Sequence, residues 1–80
     1  MHEARLCLSL LRLAEDALAR EGGERIVAVE LDVGAYSGVV PAALAAAFPV
    51  CAHGTSAEGA ALRWRETPGR ELVLRTMEVV

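Results

Sequence analysis

The chain has 80 residues, 54% hydrophobic and 24% charged, with a net charge of −3. That length allows one domain, and the composition is that of an ordered fold rather than a disordered one. The acidic balance leaves no basic footprint for nucleic acid and argues against an anionic membrane surface.

No apolar run approaches the roughly 20 residues that span a bilayer. The first residues lack the basic-then-apolar layout of a signal peptide. The expected compartment is therefore the cytoplasm. Only Tyr36, Phe48 and Trp64 are aromatic, so the core is expected to be aliphatic. The two cysteines, Cys7 and Cys51, form no CxxC pair and sit in apolar segments. They read as small buried hydrophobes rather than as zinc or redox ligands, with a disulfide between them as the alternative that a cytosolic setting disfavours.

From about Glu3 to Glu21, Leu6, Leu10, Leu13, Ala14, Ala17 and Leu18 recur at spacings of three and four. Cys7 and Leu11 widen the stripe. The pattern predicts an amphipathic helix, and Gly22-Gly23 should end it. From Arg25 to Gly34, Val27, Val29, Leu31 and Val33 alternate with Ala28, Glu30 and Asp32. This predicts a strand with one covered face.

Residues 34–38 read as a loop, after which Pro41 opens a second, alanine-rich helix. Pro49 should kink or end that helix near Phe48. If the helix continues, it should fade by His53-Gly54. Residues 56–59 read as a turn. Residues 60–67 form a second strand, with Leu62 and Trp64 on one face and Arg63 and Arg65 on the other. Pro68-Gly69 predicts a turn joining an antiparallel hairpin. In the last strand, residues 71–80, Leu72 and Leu74 have one parity and Met77 and Val79 the other. A bulge near Thr76 would bring all four to one face.

The expected fold is α+β in the order α-β-α-β-β. Two helices pack on one face of a three-stranded antiparallel or mixed sheet.

Catalytic constellations are scarce. The sequence has no glycine-rich phosphate loop, no HExxH and no plausible Ser/His/Asp spacing, so an enzyme is not expected. Glu30 and Asp32 share a strand face, where solvated charge is the ordinary reading. The start of the chain differs. The α-amine of Met1, the amide nitrogen of His2 and the His2 imidazole can chelate one ion through fused small rings. Such a set suits an ion that displaces an amide proton and favours planar nitrogen ligation, namely Cu(II) or Ni(II). It does not suit calcium or magnesium, which take oxygen. His53 reads as a helix-end residue, with a fourth-ligand role as the alternative.

The opening Met1-His2-Glu3 and the run 6–11 resemble the start of HypA proteins and their HybF paralogues. Leu31-Asp32-Val33-Gly34, Tyr36-Ser37-Gly38-Val39, Pro41, Ala43-Leu44 and Phe48 continue the resemblance. So do Gly54-Thr55, Ala57-Glu58-Gly59-Ala60, Leu62 and Met77-Glu78-Val79. The likeness keeps order and spacing over essentially the whole chain.

It implies a nickel metallochaperone for [NiFe]-hydrogenase maturation, with Ni(II) held by Met1, His2 and Glu3. It implies as partners a HypB-like GTPase and the hydrogenase large subunit. One departure is large: the family's zinc-ribbon-like module, with two CxxC pairs between the second and third strands, is absent between about residues 67 and 70. The expected organisation is a single nickel-binding domain over residues 1–80, with no structural zinc. Pro49 is a second departure, bearing only on the helix end. The alternative function is a metal-independent docking or dimerisation module, in which an exposed strand edge pairs with a partner or forms a homodimer.

Overall fold

The computed structural model describes residues 2–80, with side chains from residue 3 onward. Its elements follow the expected order: α1 (His2–Glu21), β1 (Ile26–Gly34), α2 (Pro41–Ala52), β2 (Ala61–Thr67) and β3 (Leu72–Val79).

On α1 the buried stripe is Cys7, Leu10, Leu11, Ala14 and Leu18. Leu13, expected inside, is 55% exposed. Periodicity fixes the width of an apolar stripe but not its centre. Here α1 packs on α2 as well as on the sheet, and the stripe centres on Cys7, Leu11 and Ala14. Gly22, at φ 78°, takes the left-handed conformation that ends the helix. The amides of Gly22 and Gly23 both donate to the Leu18 carbonyl.

β1 is the central strand, and the sheet order is β2-β1-β3. β2 pairs with β1 in parallel, and β3 pairs with it antiparallel. The hairpin expected at Pro68-Gly69 is therefore absent as a paired unit, because β2 and β3 lie on opposite sides of β1. The reason is α2. A helical crossover from β1 delivers β2 parallel to it, and β3 then takes the remaining edge of the most apolar strand. The sheet is mixed.

Two bulges set which residues face the core. Ile26 pairs with Val79 and Ala28 with Glu78, so Val27 is an extra residue. It is 44% exposed, while Ile26, Val29, Leu31 and Val33 are buried. The simple alternation expected for β1 fails at Val27, and Ala28, expected on the open face with Glu30 and Asp32, is buried as well. On β3 the register slips between Thr76 and Leu74, leaving Arg75 as the extra residue. Leu72, Leu74, Met77 and Val79 consequently all pack against the core, as a bulge near Thr76 predicts.

α2 opens on Pro41 and buries Leu44, Phe48 and Ala52, one turn apart. It runs through Pro49 to Ala52 without ending at Phe48. Pro49 lacks the N–H that would meet the Ala45 carbonyl. It lies on the exposed side of the helix, where water can satisfy that carbonyl.

α1 covers β1 and β3, and α2 covers β2. The other sheet face is open and charged. Arg65 pairs with Asp32 at 2.7 Å. Arg75 bridges Glu30 at 2.7 Å and Asp32 at 3.1 Å. Thr76 donates to Glu30 at 3.1 Å.

The segment joining β2 to β3 crosses the end of β1 and is bonded to it. Gly34 N–H donates to Glu71 at 2.7 Å, Ala35 N–H to Thr67 at 2.7 Å and Tyr36 N–H to Gly69 at 2.9 Å. Gly34 is required there, since a Cβ would meet backbone atoms of Gly69 and Glu71.

Candidate metal centre

Of the three expected ligands, His2 and Glu3 belong to the first turn of α1. Met1 lies outside the described residues. His2 is the first helical residue, and its side chain also lies outside them. Glu3 is half-buried. It sits with Ala4 in a shallow groove whose far wall is Ala43, Ala46 and Ala47 of α2. Those alanines bring no donor atoms.

Among the described residues, no group of three or more His, Cys, Asp or Glu could hold a metal ion. A site at this end therefore depends on the first residues of the chain. The fit is chemical. The first four N–H groups of a helix have no intrahelical acceptor, so recruiting the His2 amide nitrogen breaks no helical hydrogen bond. The positive end of the helix opposes a cation, and Glu3 supplies an acidic group in that first turn.

His53 caps the C-terminal end of α2; its side chain is 81% exposed and is already engaged by a carboxylate, pairing through Nδ1 with Glu58 at 3.0 Å.

Glu30 and Asp32 are likewise removed from acid–base work. The hydrogen bond from Arg65, with the charges of Arg65 and Arg75, holds the Asp32 carboxyl below its ordinary range. It is thus an ionised structural partner at neutral pH.

One juxtaposition was not legible in the sequence. Cys7 and Cys51 meet in the α1–α2 seam. Cys7 donates to the Leu44 carbonyl at 3.5 Å. Cys51 reaches the Ala4 carbonyl at 4.0 Å. Burial, aided by Cys51 and by the charge of Glu3, pushes the Cys7 thiol up to about 11. Each cysteine lies on its own helix's core-facing side, and only the helix crossing brings them together.

The class that the fold defines is a small two-layer α+β domain, a mixed three-stranded sheet under two helices. Residues 1–76 match the family described as hydrogenase/urease nickel incorporation, metallochaperone, HypA. The hydrogenase maturation factor HypA of Deinococcus radiodurans is 49% identical over 69 residues, covering 86% of this chain and 58% of that protein. Its counterpart from Paracoccus denitrificans is 39% identical over 80 residues, covering 100% of this chain and 71% of that protein.

The fold resembles the solution structure of the Ni metallochaperone HypA from Helicobacter pylori. The TM-score is 0.75 at 22% identity, covering 84% of this chain and 58% of that one. The chain belongs to the HypA family. It spans little more than half the length of the Deinococcus relative.

Proposed function

We propose that this chain is a nickel-binding metallochaperone domain for hydrogenase maturation, taking Ni(II) as cargo at its first residues and passing it to a partner. The observation that carries this reading is the family match from residue 1 to residue 76, in a chain that opens Met1-His2-Glu3.

The donors are the Met1 α-amine, the His2 amide nitrogen and the His2 imidazole. Glu3 stands beside them as a carboxylate for the ion or for a water bound to it. Loading displaces protons from the amine and the amide, so it is favoured as pH rises. Three donors from one chain leave a fourth position to a group on the recipient, which gives a route for transfer.

Other maturation proteins are the natural recipients. The resemblance points to a HypB-like GTPase and the hydrogenase large subunit, in the cytoplasm. Among the described residues, no helix is long and apolar enough to cross a membrane. With only Cys7 and Cys51 available, and the segment between about residues 67 and 70 too short for a zinc module, nickel is the only metal proposed.

The test is a Ni(II) titration of the untagged chain beside His2→Ala and a variant extended by one residue before Met1. Tight binding with a planar nitrogen-ligation spectrum is expected only in the untagged chain. Equal affinity in all three would overturn the assignment.

A further inference from the structure

We propose that Cys7 and Cys51 form a reversible disulfide between α1 and α2 when the protein meets a two-electron oxidant such as hydrogen peroxide.

The seam already arranges the two groups. Each thiol reaches the backbone of the opposite helix: Cys7 reaches Leu44 and Cys51 reaches Ala4. Side chains lean toward the N-terminus of their own helix. Each sulfur therefore lies over the turn that precedes it, and the two converge in one place. The nearness of Cys51 also adds to the upward push that burial gives the Cys7 thiol. Both are free thiols, Cys7 buried and Cys51 half-buried.

The difference in exposure assigns the roles. The Cys51 thiolate attacks a peroxide oxygen. The O–O bond breaks, water leaves after protonation, and Cys51 becomes a sulfenic acid. Cys7 then attacks the Cys51 sulfur. The S–S bond forms, the S–O bond breaks, and the departing hydroxide carries off the Cys7 proton as a second water. Two thiols and one peroxide give one disulfide and two waters. Cys7 is protected from outside oxidant by its burial, yet it reacts with a neighbour held across the same seam, because proximity replaces encounter.

The bond would fasten the first turns of α1 to α2 and close a loop of about 45 residues, which by chain entropy raises the melting temperature by about 10 °C or more. The inference is independent of nickel binding.

The experiment treats the reduced 80-residue chain with excess peroxide, caps residual thiols with N-ethylmaleimide, and digests with trypsin. Residues 6–12, between Arg5 and Arg12, should be recovered joined to residues 26–63, between Arg25 and Arg63. The protein should remain monomeric, and dithiothreitol should restore both thiols. Cys7→Ser should leave a dimedone-reactive sulfenic acid on Cys51. Cys51→Ser should leave Cys7 reduced.

The proposal fails if both thiols are capped while glutathione in the same tube is oxidised. It also fails if only intermolecular disulfides form, or if Cys7 is oxidised as readily in Cys51→Ser. Should a serine variant not fold, the peptide map of the unaltered chain decides alone.

Discussion

Gly34→Ala offers a sharp test of how the β2–β3 connection is held. A methyl group on Gly34 would contact the Gly69 carbonyl oxygen, with the Gly69 carbon at 2.6 Å and the Glu71 nitrogen at 2.8 Å. All three are backbone atoms, so no rotamer change relieves the clash and the crossing segment must move. Overpacking of this kind costs about 1–3 kcal/mol. The same movement loosens the hydrogen bonds from Gly34 to Glu71 and from Tyr36 to Gly69, each worth about 1 kcal/mol net. The expected loss is about 2–4 kcal/mol. A domain of this size has a total stability of only about 4–12 kcal/mol, so the melting temperature should fall by about 10–25 °C. Urea and thermal unfolding followed by far-ultraviolet circular dichroism measure this directly. A loss under 0.5 kcal/mol would refute the claim that Gly34 is required by close backbone approach.

Further expectations follow from single elements. Pro49→Ala restores a donor for the Ala45 carbonyl inside α2, and should raise stability by about 1–3 kcal/mol in urea unfolding; an unchanged midpoint would mean that Pro49 breaks no helical bond that matters. Leu31→Ala empties a fully buried position on the central strand and should destabilise by about 2–5 kcal/mol, read from the same curves. Asp32 has its carboxyl lowered below an ordinary value of 3.8, first by the Arg65 hydrogen bond. Its contribution is therefore complete above about pH 4 and is lost as pH falls through the lower, folded-state value. Asp32→Asn should lower stability at neutral pH and flatten the acid limb of a stability–pH profile; an acid limb as steep as before would remove Asp32 from that role. For the cargo site, His2→Ala should abolish planar nickel ligation while leaving the unfolding curve of the metal-free protein unchanged.

The sequence by itself determined the elements and their order. The reason is local: spacings of three and four in α1, period two in β1, Gly22 and Pro41 at helix ends, and opposed parities in β3 that only a bulge could reconcile. It also pointed to Met1 and His2 as donors, because Met-His chelation needs only atoms that adjoin along the chain, whereas Glu3 entered only through the family resemblance. The tertiary structure decided what adjacency in sequence does not encode. It placed β1 between β2 and β3, because the α2 crossover delivers β2 parallel to β1 and leaves the opposite edge for β3. It turned the α1 stripe toward Cys7 and Leu11 and exposed Leu13, because α1 shares its core with a second helix. It locked Glu30 and Asp32 into pairs with Arg65 and Arg75 of the flanking strands, 33 to 45 residues away in sequence. It also set Cys7 against Cys51, since two helices crossing over a sheet create neighbours that no spacing along either helix reveals.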